Sequence, residues 1–368
     1  MKAHQRLLTW AFLVMIAAPQ ILWLFIYPGI SEENREKREL KKFPVLNVLT
    51  VKEFPAEFDS YYSDNLPFRY MIINAAASWS YRFYGFTTSK KVLFGKDGWL
   101  FYKYREDGDP ISDYKRINQF SDGELKRIRA NLENTRNYLS SRNVRFILMI
   151  CPNKENMYPE YMPDYIIRAK RIPRTEQLIE YMDGSGVEIL SPMKTLEGLK
   201  RDYPVYFKKD THWNVLGAYA GSCDLARALG KKLPDPRSLN PSVKKAEIPK
   251  AATDLLDMSG ITLLEENNVD LDWKGNLSKT EITNDVTDFT CPGRKGSLLM
   301  LRDSFGITMA PYVSSLFAES EFVHRYSFRN EMIGKRKPDV LVIQIVERYL
   351  PELLNYDIIN DNVKPMTN

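Results

Sequence analysis

The chain is poor in the residues that build metal and redox centres: it holds three cysteines, Cys151, Cys223 and Cys291, and three histidines, His4, His212 and His324. No two cysteines form a C-x-x-C pair, so a Cys/His zinc centre is not expected, and neither a metal nor a cofactor is inferred. The odd number leaves at least one cysteine unpaired, and each reads as a small buried apolar residue. Charge of one sign is also scarce. Against 52 Lys and Arg stand 47 Asp and Glu, a net +5, and the basic residues are scattered, which argues against nucleic acid as the main partner. No internal repeat or low-complexity tract is present.

Charge is missing altogether between Arg6 and Glu32. Leu7 to Tyr27 (LLTWAFLVMIAAPQILWLFIY) has about the length, some 20 residues, that crosses a bilayer core as a helix. No small-x-small cleavage site closes the run, so an uncleaved single-pass anchor is expected rather than a signal peptide. Orientation is contested: Lys2 and Arg6 precede the run, whereas Arg35, Lys37, Arg38, Lys41 and Lys42 follow it among four glutamates, and a plain count of basic residues would put the following domain in the cytoplasm. The very short N-terminal flank favours the opposite placement.

Beyond a polar stretch to about Pro44 lies an aromatic-rich region through Tyr84, expected to pack into a core. Gly95-Lys96-Asp97-Gly98 before an apolar run predicts a hairpin. From Ser121 the pattern alternates. Leu125, Ile128, Leu132 and Leu139 share a helical face behind a cap at Ser121 or Asp122. Val144 to Cys151 is a continuous apolar strand of the kind covered on both faces. A helix near Thr175–Met182, a strand near Val187–Leu190, a helix from Asn214 to about Leu229, and strands at Ser297–Leu301, Phe322–Tyr326 and Val340–Val346 continue the series. This predicts an α/β fold, a mostly parallel sheet with helices on both faces. Residues 1–28 form the tail and anchor, 29–90 a connecting region and 91–368 the main domain, in which the Pro-punctuated stretch 230–292 reads as an insertion.

In such a sheet the ligand crevice lies outside the carboxyl ends of the strands. Three polar segments fall at candidate places: Pro152-Asn153-Lys154-Glu155, Asp210-Thr211-His212-Trp213-Asn214 and Arg302-Asp303-Ser304-Phe305-Gly306. Ser304 sits at a strand-to-helix turn, where free N–H groups and the helix dipole stabilise an oxyanion; the same position also suits an ordinary helix cap. A serine nucleophile needs a base. His212 has Asp210 two residues before it, a spacing that lets the carboxylate fix the imidazole tautomer, whereas His4 and His324 have no such partner. Asn153 is a candidate oxyanion donor, and Lys154, Arg302 and Arg348 are candidate contacts for an anionic acceptor.

These segments resemble the SGNH-hydrolase-like proteins of the alginate O-acetyltransferase group, the AlgJ, AlgX and DHHW type. The resemblance rests on Leu66-Pro67-Phe68-Arg69, GKDGWLFY at 95–102, CPNKE at 151–155, DTHWN at 210–214, RDSFG at 302–306 and KPDVLVIQIVERYL at 337–350, and it runs through most of the chain. It implies an SGNH-like fold with permuted motif order, the Asp-x-His pair upstream and the serine downstream. It further implies Asp210, His212 and Ser304 as a triad, and a membrane-anchored enzyme on the periplasmic or extracellular side of the cytoplasmic membrane. That enzyme would move acetyl groups through Ser304 onto an exported polysaccharide, supplied by a multispanning membrane O-acyltransferase. The chain ends soon after the ERYL element, so it looks more like the anchored AlgJ type than the type with an added carbohydrate-binding module. A carbohydrate O-acetylesterase and a non-catalytic scaffold subunit are the alternatives.

Overall fold

The structure, a computed structural model, describes residues 3–26, 40–46, 51–66, 68–87, 89–247, 253–261 and 265–361. The chain divides into two units, Met1–Ser89 with Leu256–Thr262 and Lys90–Leu255 with Leu263–Asn368.

In the first unit Ala3–Ile26 form helix α1. Among the described residues no helix is long and apolar enough to cross a membrane. The expected span over Leu7–Tyr27 falls in part outside what is described, which omits Tyr27 and the side chains of Ile16, Pro19, Gln20, Leu22, Trp23, Leu24 and Ile26. Two further helices, α2 (Phe54–Asp64) and α3 (Arg69–Tyr84), carry the aromatic-rich region. The expected core packing is not what forms. No residue of α2 is buried, and Trp79 and Phe83 are each 61% exposed. The rings meet one another instead: Trp79 and Phe83, helical neighbours four residues apart, at 4.5 Å, and Phe43 of the segment before α2 with Tyr61 at 5.1 Å between centroids.

The second unit opens with the expected hairpin, β1 (Val92–Phe94) against β2 (Leu100–Tyr102). Helices α4 (Pro110–Lys115) and α5 (Asp122–Ser140) follow, and Ser121 and Glu124 close a capping box at the start of α5. Next come β3 (Arg145–Cys151), α6 (Lys154–Met157), α7 (Arg174–Tyr181), β4 (Glu188–Leu190), α8 (Met193–Lys200) and α9 (Val215–Ala228). The stretch expected as an insertion supplies β5 (Ser242–Glu247), α10 (Asp254–Ser259), β6 (Glu265–Asp270), β7 (Ser278–Glu281) and β8 (Val286–Thr290). The chain ends through β9 (Ser297–Arg302), α11 (Phe305–Ser314), β10 (Glu319–His324), α12 (Glu331–Arg336) and β11 (Val340–Val346).

Seven strands form the main sheet in the order β4-β3-β11-β9-β10-β8-β7. The first five run parallel, and β8 and β7 extend the β10 edge antiparallel. Part of residues 230–292 is thus sheet rather than appendage, while β5 and β6 pair as a separate hairpin.

Successive residues of the central strands point to opposite faces, and both faces are covered. Met149, Met300 and Val342 pack with Leu216 and Ala220 of α9 and Phe305 and Met309 of α11. Leu148, Ile150, Leu301 and Ile343 pack with Ile128 and Leu132 of α5 and Leu178 of α7. Each such side chain contributes about 2 kcal/mol by leaving water. The β3-to-β4 crossover therefore carries α7 on one face and the β9-to-β10 crossover carries α11 on the other. Where crossovers diverge, the strand ends leave a crevice. Here it lies beyond Cys151, Val346 and Arg302.

Candidate active site

The turn after β9 is fixed by Asp303, buried to 2% exposure. One carboxylate oxygen, Oδ2, accepts the Val346 N–H at 2.7 Å; the other accepts the Gln344 amide at 2.8 Å and the Phe305 N–H at 2.9 Å. Asp303 thereby ties β9 to β11 and satisfies the start of α11. Gly306 is required just beyond: a Cβ there would lie 2.6 Å from Arg302 Cβ and 2.8 Å from Gln344 Oε1. Ser304, at the cap position, makes no side-chain capping bond, and its N–H has no acceptor among the described residues. The ordinary explanation of this serine as a cap is thus removed.

Its hydroxyl instead lies 2.7 Å from His212 Nε2. His212 is held in a short extended segment: Phe207 N–H donates to its carbonyl at 3.1 Å, and the neighbouring Tyr206 and Trp213 form a β-bridge. The indole N–H of Trp213 donates to the Phe305 carbonyl at 3.1 Å, and the His212 ring rests 5.0 Å from the Phe305 ring. Asn214 caps α9 through Oδ1, which accepts the Leu216 and Gly217 N–H groups. Gly217 must be glycine, since a Cβ would meet the Val205 carbonyl oxygen at 2.1 Å. The packing of α9 against the 203–206 segment thus sets the imidazole over the α11 turn.

Asp210 is fully buried. Its Oδ1 accepts the His212 N–H at 2.8 Å and faces Nδ1 at 2.7 Å, which fixes Nδ1 as the protonated nitrogen and leaves Nε2 as the acceptor for the serine proton. Burial alone would raise the Asp210 pKa, but the hydrogen bond and charge of His212, with bonds from Asp254, outweigh it and bring it down to about 2. Burial pulls His212 downward, yet the Asp210 bond and charge leave it raised. The arrangement can deprotonate a hydroxyl at Ser304 and stabilise the imidazolium that results.

Asp254 completes the group and was not foreseen in the sequence. Its Oδ1 accepts the Thr211 N–H at 2.8 Å, its Oδ2 accepts the Thr211 hydroxyl, and its own N–H donates to Asp210 Oδ2 at 3.0 Å. The only local signal is Thr253-Asp254 ahead of Leu255-Leu256, an ordinary helix start. Asp210, His212 and Asp254 offer ligand-type atoms within 4.8 Å of one another. The Nδ1–Oδ1 separation of 2.7 Å is a hydrogen bond; two ligands on a tetrahedral zinc at about 2.1 Å would stand well over 3 Å apart. The group is a proton-bearing chain rather than a cation cage.

The other sequence candidates have different fates. Asn153 is fully buried; its amide nitrogen donates to Asp113 at 3.0 Å and its oxygen accepts the Arg348 N–H at 3.1 Å, so it joins the ends of β3 and β11. Neither bond involves Ser304, and these contacts lend the expected role as oxyanion donor no support. Lys154 gives its Nζ hydrogens to the carbonyls of Leu100 at 2.6 Å, Lys208 at 2.9 Å and Asp210 at 2.9 Å. With all three donors taken it has none for an acceptor, which corrects that expectation; burial lowers its pKa to about 8. Arg302 is 5% exposed, its stem runs under Gly306, and burial lowers its pKa against the carboxylates of Asp303 and Asp285. Arg348 lies over the rings of Phe305 and Tyr102, at 5.9 and 5.7 Å, and its buried Nε has no partner among the described residues. Both guanidiniums thus stay beside the turn.

The model of the family described as "SGNH hydrolase-like domain, acetyltransferase AlgX" matches residues 92–299. The chain belongs to this family. A curated relative named as a probable alginate O-acetylase AlgJ, from Pseudomonas syringae pv. tomato, is 23% identical over 176 residues, 48% of this chain and 42% of the relative. The chain thus spans less than half the length of the curated relatives it matches. Two solved structures share the fold. Bacillus cereus PatB1 has TM-score 0.51 and 15% identity over 74% of this chain and 99% of its own. A DHHW family protein from Eubacterium siraeum has TM-score 0.52 and 13% identity over 73% and 99%. Ser304 lies just past the matched segment of the family model, and Asp210, His212 and Asp254 lie within it.

Proposed function

We propose that this protein is an extracytoplasmic O-acetyltransferase that carries an acetyl group on Ser304 and delivers it to a hydroxyl of an exported or cell-surface polysaccharide. The observation that carries this is the 2.7 Å contact between His212 Nε2 and the uncapped Ser304 hydroxyl. His212 takes the Ser304 proton as Oγ attacks the acetyl carbonyl of the donor. The bond from the acetyl carbon to the leaving group then breaks, and His212 returns the proton to that group. In the second half a sugar hydroxyl takes the place of Ser304: His212 removes its proton, its oxygen attacks the acetyl-serine, and Ser304 leaves with the proton. In both halves the Ser304 N–H at the start of α11 donates to the oxyanion.

Membership of an acetyltransferase family, and relatives named as alginate O-acetylases, support the choice of acetyl and of a polysaccharide acceptor. The uncharged N-terminal stretch between Arg6 and Glu32 supports action outside the cytoplasm, with a multispanning membrane O-acyltransferase as acetyl supplier. Arg302 and Arg348 beside the turn suit an anionic acceptor.

The test gives the protein an activated acetyl ester with and without uronic-acid oligosaccharides and measures acetylated sugar against free acetate. Acetylated sugar that vanishes in Ser304→Ala supports the proposal. Acetate release unchanged by acceptor would instead identify an O-acetylesterase.

A further inference from the structure

We propose that Asp254 is a positioning residue of this site, one that holds Asp210 and Thr211 in place and supplies a second negative charge to the imidazole without touching substrate; the inference rests on the acyl-transfer reading above. Three contacts converge on Asp210-Thr211-His212 from this single residue. Its backbone N–H takes Asp210 Oδ2, the oxygen that His212 does not use. Its carboxylate takes both the N–H and the hydroxyl of Thr211. With Oδ2 occupied, the Asp210 carboxylate cannot rotate without breaking a buried bond, and so Oδ1 stays directed at Nδ1.

The carboxylate also acts at a distance. Its Oδ2 lies 3.6 Å from His212 Nδ1, and its negative charge favours the imidazolium that forms as Ser304 loses its proton. The charged groups that act on it are Asp210 and His212 from the segment before α9 and Lys154 from α6; Glu266 of β6 acts in turn on Lys154, Lys208 and Lys209 on Glu266, and Arg348 on His212. Burial and the neighbouring Asp210 charge push its own pKa up to about 7. Asp254 therefore holds its proton well above the ordinary carboxylate range, and the site holds an acid beyond the expected triad.

The chain has only three histidines, so the His212 ring signal can be followed by NMR titration while acetyl-enzyme formation on Ser304 is followed by mass spectrometry over the same pH range. Asp254→Asn keeps the shape and removes the charge. We expect its His212 titration midpoint and the acid limb of acetylation to move down together by roughly half a unit to one unit, and the plateau rate to fall about tenfold. Asp254→Ser, equally neutral and shorter, is expected to give the same shift, which guards against a folding defect in one variant. An unmoved His212 midpoint in both variants overturns the inference, even if the rate falls, because a packing role alone would leave the titration where it was. Failure of the wild type to form any Ser304-dependent acetyl-enzyme would overturn the acyl-transfer reading instead, and the titration would still decide whether Asp254 controls His212.

Discussion

The segments that follow β3 and β9 look alike in sequence and behave oppositely in the fold. Each is a short polar run behind a buried apolar strand, Pro152-Asn153-Lys154-Glu155 in one case and Arg302-Asp303-Ser304 in the other. After β3 the polar groups are spent internally. Asn153 joins two strand ends, Lys154 binds three carbonyls, and Glu155 accepts the Tyr102 N–H at 2.9 Å. After β9 Asp303 is spent on β11 and α11, and Ser304 keeps its hydroxyl for His212 and, among the described residues, its N–H unbonded. Position at a strand end marks where chemistry can occur; a count of donors and acceptors shows which residue is left to do it.

The largest expected effects fall on the β9 side. Ser304→Ala should lower acetyl transfer by at least about 10³-fold while changing stability by less than roughly 0.5 kcal/mol, since no capping bond is lost; urea unfolding beside a transfer assay checks both halves. A stability loss near 1 kcal/mol, as for a true cap, would blur the contrast. Asp210→Asn, measured in the same assay, should cost about 10³- to 10⁴-fold, because an amide presents the wrong partner to Nδ1.

On the β3 side the order of effects reverses. Lys154→Met removes the ammonium donor from the carbonyls of Leu100, Lys208 and Asp210, of which Lys208 keeps only the Leu100 N–H, and should destabilise the protein by about 3 kcal/mol in urea unfolding. Activity per folded molecule should fall much less than for Ser304→Ala. Were Lys154 a substrate contact, the rate would drop with little change in stability.

A pH series sharpens the comparison further. Burial and the Asp210 charge raise the Asp254 pKa in the folded protein from the ordinary 3.8 to about 7. Between those values the folded protein keeps a proton that the unfolded chain has released, so this group's contribution to stability falls as pH rises from about 4 to 7 and is constant above. Asp254→Asn lacks that slope. Its Tm relative to wild type should therefore be more favourable at pH 8 than at pH 4, and an equal difference at both would contradict the environment described for Asp254.

Much of this was legible because it is local. Continuous apolar runs at 144–151, 297–301 and 340–346 specify buried parallel strands, and Asp-x-His with a strand-end serine specifies the pieces of a triad. What escaped is what depends on segments far apart in the chain. The saturation of Lys154 needs carbonyls at 100, 208 and 210, which no local pattern reveals. Asp254 lies in a stretch with weak periodicity and acquires its partners only when α10 meets the 210–212 segment. The exposed rings of α2 and α3 were misjudged for the same reason, since aromatic content signals burial only where another layer exists to provide it.

The most direct test of the central claim is to treat the protein with an activated acetyl ester, quench it in acid and map the modified peptide by mass spectrometry. The account predicts a single acetyl group on Ser304, absent in Ser304→Ala and strongly diminished in His212→Ala. Acetylation that persists in Ser304→Ala, or a folded wild type that acquires none while still acetylating an acceptor, would contradict it.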